Sequence, residues 1–113
     1  MPLAGLILRP YQASDFEALL AIDQACFPKP IAYGRRELKV YLQLEGSHCI
    51  VAEVPSPTIP RTIAGFILTE RSTEFAHIIT LDILEAYRRQ SVGSLLLQAA
   101  EREAEQETEE VET

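Results

Sequence analysis

No stretch of the 113-residue chain approaches the roughly 20 uninterrupted apolar residues that a membrane span requires. Its first apolar run, residues 3–8, lacks both a basic start and a cleavage region, so a secretory leader is not expected. A cytoplasmic protein without a membrane partner is the expectation. Cysteine is scarce: Cys26 and Cys49 are the two in the chain, with no C-x-x-C spacing and no histidine cluster beside them. Both fall in stretches that read as buried helix and buried strand, which favours two reduced core thiols over a disulfide or a metal site. Basic residues never interleave with aromatics along a stripe, which argues against nucleic acid as a partner. A P-loop and the glycine set of a dinucleotide fingerprint are missing as well.

What is present suits a single domain with an ordinary core: 47% hydrophobic and 24% charged residues. The net charge of −7 is unevenly placed. Residues 101–113 hold seven glutamates and one arginine, so residues 1–100, with ten acidic and nine basic groups, carry a net charge of only −1. A nearly neutral body can gather several cations around a phosphate without opposing its own field.

Pro10 ends a short apolar run, residues 6–9, that reads as a first strand. Ser14 with Glu17 has the spacing of a capping box, and Phe16, Leu19, Leu20, Asp23 and Phe27 then recur at helical spacing with Asp23 the polar interruption. Pro28 and Pro30 stop that helix. Past Lys29 a second helix over about 34–44 has Leu38, Tyr41 and Leu42 on one face and Arg35, Arg36 and Lys39 on the other, and Gly46 closes it. Residues 48–54 and 62–70 read as a hairpin whose loop, with Pro55, Pro57 and Pro60, ends both strands. Residues 75–84 form a third such run. From Ser91 to about Gln106, Val92, Leu95, Leu96, Ala99 and Ala100 return to helical spacing. The predicted order is β-α-α-β-β-β-α, an α/β (α+β) fold with a mostly antiparallel sheet and flanking helices. It occupies residues 1–104, with an acidic, disordered tail over 105–113.

One junction carries chemistry. The strand ending near Leu84 runs through Tyr87, Arg88, Arg89, Gln90, Ser91, Val92, Gly93 and Ser94 straight into the amphipathic helix. A helix start has unpaired N–H groups and a partial positive charge, Gly93 permits close approach, and Arg88 and Arg89 add cations, so the junction suits a phosphate. A plain solvated helix start is the competing reading.

The element order and the run IITLDILEAYRRQSVGSLLL, residues 78–97, resemble a GCN5-related N-acetyltransferase, nearest the ribosomal protein alanine and N-terminal acetyltransferase branch. That family's signature, Q/R-x-x-G-x-G/A, falls on residues 88–93. The resemblance implies that backbone N–H groups of Arg89, Gln90, Ser91, Val92, Gly93 and Ser94, with Arg88 beside them, hold the pyrophosphate of acetyl-CoA. It implies also that main-chain groups of Leu81 and Ile83 align the thioester, and that the acceptor is a primary amine, such as a protein or peptide N-terminus. Attack is direct, with a main-chain N–H on the oxyanion and a base for the amine proton.

Two departures stand out. Ser91 replaces a signature glycine and is expected to crowd the phosphate and keep the backbone out of the left-handed region, although its hydroxyl can donate to an anion. The sequence also stops where the family continues with a strand, a helix and two more strands. A non-catalytic CoA-binding or protein-interaction remnant, or a fragment of a longer acetyltransferase, is therefore the alternative function.

For the base there are two candidates. Asp82 alternates with Leu81 and Ile83 and so faces the opposite side, where a carboxylate must be functional or structurally paired. His77 has a pKa suited to base work, against a structural role at a strand end. Tyr33 is the candidate for lining the acceptor pocket, against a core tyrosine. The strand over 75–84, left at the sheet edge, is expected to pair with a second copy in a homodimer unless CoA covers it.

Overall fold

Apolar runs with no polar side mark strands covered on both faces, and here they become the two middle strands of the sheet. The structure, a computed structural model, describes residues 4–28, 31–59, 61–72 and 76–112. Its elements are β1 (Ile7–Pro10), α1 (Phe16–Cys26), α2 (Arg35–Gln43), β2 (Ser47–Pro55), β3 (Arg61–Arg71), β4 (Ala76–Ile83) and α3 (Val92–Glu112). Short 3-10 turns at Ala13–Asp15 and Glu85–Tyr87 precede α1 and α3. This is the order read from the sequence, an α+β fold with a four-stranded sheet in the order β1-β2-β3-β4, every pair antiparallel. Leu3, Lys29, Pro30, Pro60, Phe75 and Thr113, which entered the sequence reading, lie outside the described residues.

On one face, Val51, Phe66 and Leu68 pack under Phe16, Leu19, Leu20 and Ile22 of α1 and Leu38 of α2. On the other, Ile50, Ala52 and Ile67 pack under Val92 and Leu96 of α3. Leu81 and Ile83 of β4 join this second cluster, so the alternation of the strand sends Asp82 toward α1.

Gly65 sets how closely β4 approaches β3. A Cβ there would stand 2.5 Å from the carbonyl oxygen of Asp82 and 2.7 Å from Ile83 Cδ1. Only glycine lets the strands meet at this register, where Gly65 lies opposite Ile83.

The first helix begins differently from the Ser14–Glu17 expectation. Ser14 is exposed inside the 3-10 turn, and it is Asp15 that closes the turn, accepting from the Gln12 N–H at 2.8 Å. Burial decides this: the Asp15 carboxylate is 6% exposed and must be paired, which Arg9 achieves with Nη1 and Nη2 each at 2.8 Å. Hydrogen bonding to Arg9 holds the Asp15 carboxyl below its usual range. Arg9 also pairs with Glu53, which Arg61 Nε reaches at 2.7 Å, clamping β1 to β2. Glu17 instead bridges to Arg35 of α2, Nη2 to Oε1 at 2.9 Å.

The last helix is longer than its apolar stripe. The backbone stays helical to Glu112, through the stretch the sequence assigned to a tail. Glutamate, alanine, glutamine and arginine are strong helix formers, so the turn-to-turn bonds continue past the apolar stripe.

Gly65→Ala should destabilise the domain by roughly 1–3 kcal/mol, because backbone rather than a flexible side chain blocks the new methyl. Urea unfolding measures this; a change below about 0.5 kcal/mol, the range of an ordinary surface substitution, would mean that β4 separates from β3 easily.

Candidate functional site

Between β4 and α3 the chain reverses in a few residues, and its backbone is left without acceptors. Tyr87 N–H bonds Leu84 O at 2.9 Å and Arg88 N–H bonds Glu85 O at 3.2 Å. Among the described residues the next N–H to find a backbone acceptor is that of Leu95, on Ser91 O at 3.0 Å. Among the described residues no acceptor is found for the amides of residues 89–94. Arg89 and Ser91 take left-handed conformations, φ 64° and 68°, with Gln90 between them outside that region. Such alternation turns successive N–H groups into one concavity, and the α3 dipole adds positive potential behind it.

The left-handed Ser91 corrects the expectation that a serine would keep this backbone at negative φ. Docking of Val92 and Leu96, 1% and 0% exposed, fixes where α3 must start, and the turn absorbs a strain of roughly 1–2 kcal/mol per residue. Strain held at a cluster of unpaired donors is a mark of a functional turn.

The side chains divide their tasks. Arg88 Nε donates to Ile83 O at 2.9 Å and its Nη2 lies 3.6 Å from Cys26 Sγ, so this guanidinium locks the turn to β4 and α1. Gln90 Nε2 donates to Ala86 O at 3.1 Å. Arg89 is exposed and makes no side-chain bond among the described residues, which leaves it as the cation facing outward. Val92 is core, and Gly93 has no atom closer to a hypothetical Cβ than Ile83 Cγ1 at 3.8 Å. Ser94 is exposed on the first turn.

On the other face of β4, Asp82 is 1% exposed and accepts from the Thr80 hydroxyl. Asp23 of α1, 0% exposed, faces it and accepts from the Tyr33 amide at 2.7 Å. Burial, reinforced by hydrogen bonding to Asp23, pushes the Asp82 carboxyl up to about 7. Sequence reading treated Asp23 only as a polar interruption; its position on the buried stripe of α1 was the available signal. Cys26, one turn later, donates its thiol to Ile83 O at 3.4 Å. Both cysteines are free, and burial pushes the Cys49 thiol up to about 12.

Tyr33 reaches the pair through its main chain. Its ring tilts against Tyr41 with centroids 5.2 Å apart, and burial raises the pKa of its hydroxyl. His77 is not brought to Asp82. It is exposed, opposite Glu70 near the start of β4, roughly 16 Å along the strand at the usual rise. There it lines a groove of about 330 Å³ with Ile78, Leu97 and Ala100.

Ser91→Gly should relieve left-handed strain and stabilise the fold by roughly 1 kcal/mol. Urea unfolding reads the change, and a loss of stability would mean that the serine side chain holds the turn.

Among the described residues no helix is long and apolar enough to cross a membrane. No curated protein matches the chain. Similar folds occur among solved structures. The ribosomal-protein-S18-alanine N-acetyltransferase from Escherichia coli superposes with a TM-score of 0.77 at 18% identity, covering 90% of this chain and 61% of its own. For Ard1 from Thermoplasma volcanium the TM-score is 0.77 at 21% identity, covering 93% and 67%. GphF, a GNAT-like decarboxylase solved with isobutyryl-CoA, superposes at 0.65 with 24% identity, covering 81% and 55%. The chain thus spans about three fifths of the length of the Escherichia coli enzyme. These likenesses establish the fold. The family model for "Acetyltransferase (GNAT) family" matches residues 16–113, from the first helix to the end of the sequence, and the chain belongs to that family.

Proposed function

We propose that this chain binds acetyl-CoA at the start of α3 and transfers the acetyl group to a primary amine, with a protein or peptide N-terminus as acceptor. One observation carries the reading: the unpaired amides of residues 89–94, gathered by left-handed residues at a helix start beside an outward-facing Arg89. A pyrophosphate supplies the acceptor oxygens and negative charge that such a concavity lacks. Membership of an acetyltransferase family and the isobutyryl-CoA bound to GphF support an acyl-CoA as the ligand.

In this reading the free edge of β4 aligns the arm that carries the thioester. The Ile83 carbonyl already accepts from Cys26 and Arg88, so this alignment falls to the other main-chain groups near Leu81 and Ile83. Asp82 takes a proton from the incoming ammonium, the freed amine nitrogen attacks the thioester carbon, a main-chain N–H supports the oxyanion, and the C–S bond breaks as CoA leaves with the second proton as its thiol. Tyr33 borders the acceptor side. His77 stands apart from this step.

Arg89→Glu should weaken CoA binding at least about tenfold, or roughly 1.4 kcal/mol, by replacing attraction with repulsion. Titration calorimetry measures it, with Arg89→Gln as the intermediate case. Equal affinity in all three chains would move the site elsewhere. Binding without acetylation of a test peptide by mass spectrometry would make the chain a non-catalytic CoA-binding domain.

A second copy of the chain is the proposed partner at the sheet edge. Among the described residues β4 pairs only with β3, and Ile78 is 47% exposed beside the free backbone. Light scattering at micromolar concentration should report a dimer that Ile78→Lys shifts toward monomer; a monomer without ligand overturns this pairing.

A further inference from the structure

A carboxylate inside an apolar interior persists when a cation pairs with it or when it keeps its proton. The Asp23 and Asp82 side chains face one another between α1 and the sheet, 0% and 1% exposed. Each has one oxygen satisfied: Asp23 Oδ2 by the Tyr33 amide and Asp82 Oδ1 by the Thr80 hydroxyl. The remaining oxygens, Asp23 Oδ1 and Asp82 Oδ2, are buried without a donor from the protein. Two carboxyl groups hydrogen-bonded to each other need one proton between them, since ionised carboxylates only accept.

Among the described residues, the groups around the pair supply no compensating charge. Cys26 of α1, Tyr33 of the connecting segment and Cys49 of β2 all feel the Asp82 charge, and burial keeps each of them neutral near pH 7. Tyr41 and Glu37 of α2 act on Tyr33. Phe66, opposite Asp82 on β3, is apolar. Arg88 spends its guanidinium on Ile83 O and Cys26.

We infer that Asp23 and Asp82 form a single proton-holding unit, in which Asp23 is the positioning residue that couples the charge of Asp82 to the segment leading into Tyr33. The role of this unit rests on the amine-acetyltransferase reading above, in which the acceptor amine arrives as its ammonium. An N–H bond of the ammonium breaks, its proton passes to the Asp82 carboxylate, and the nitrogen keeps the electron pair with which it attacks the thioester carbon; the C–S bond then breaks, and the second proton shed by the nitrogen leaves with the sulfur as the CoA thiol. Burial, reinforced by the Asp23 carboxyl beside it, raises the proton affinity of Asp82 into the range where it can accept from an ammonium.

The test follows carboxyl titration by NMR in the chain labelled at aspartate with 13C, beside CoA calorimetry on the same sample. In the wild-type chain one carboxyl should titrate near pH 7, and Asp82→Asn should remove that signal. Asp23→Asn should move it down by at least about one pH unit, a tenfold change in proton affinity. The acidic limb of kcat/KM for a peptide amine should move by the same amount, and Asp23→Glu should restore part of it. Melting provides a readout independent of activity. A carboxyl protonated up to about pH 7 when folded but only to about pH 4 when unfolded adds stability at low pH that is lost as pH rises through 7. Tm should therefore fall between pH 5 and pH 8 in the wild-type chain and fall less in Asp82→Asn; should Asp23→Asn not fold, this pair of melts and the wild-type titration carry the test. An Asp82 signal that titrates below pH 5, or that Asp23→Asn leaves in place, overturns the unit whether or not CoA binds. A signal near pH 7 that responds to Asp23, in a chain that does not bind CoA, supports the unit and removes the acetyltransferase reading.

Discussion

With Ile50, Val51 and Ala52 on β2 and Phe66, Ile67 and Leu68 on β3 all buried, neither central strand has a side left for water. Both faces must be covered, α1 and α2 taking one and α3 the other. Once those helices are pinned, β4 lies at the sheet edge with α1 on one side and α3 on the other. The strand's two-residue period then divides the chemistry. Leu81 and Ile83 turn toward α3, where the proposed anion-binding turn lies, and Asp82 turns toward α1, where Asp23 and Tyr33 meet it. Gly65 keeps this geometry tight by letting the two strands approach beyond what any Cβ would allow.

The turn between β4 and α3 shows how strain and ligand chemistry combine. Its left-handed residues cost energy that docking of Val92 and Leu96 offsets, and the result is a row of amides with no acceptor among the described residues. Arg88 holds this arrangement by tying the turn to the Ile83 carbonyl and to Cys26. The cation with the signature's first position is thus a brace, and its exposed neighbour Arg89 carries the outward charge.

Much of the fold was legible in the residues. Alternation and apolar runs marked the strands, helical spacing marked α1, α2 and α3, and the basic strand-to-helix junction marked the turn proposed as the anion site. Local rivalry was harder to read. Ser14 and Glu17 have the right spacing for a cap, yet Asp15, which needs Arg9 because it is buried, closes the turn, and Glu17 is free to reach Arg35. His77 and Asp82 share a strand and were both candidates for the base, Asp82 the stronger, and extension along β4 puts them at different ends of it.

The sequence by itself determined the order of elements, the side of β4 on which Asp82 lies and the concentration of phosphate-binding features at residues 88–94, because each depends on spacing within a few residues. Tertiary structure alone decided that Asp82 meets Asp23, that Arg88 is spent on Ile83 and Cys26, and that Ser91 is forced to positive φ. Those outcomes depend on where α1 and α3 come to rest on the sheet. That position is set by the packing of side chains far apart in the chain, which no local spacing records.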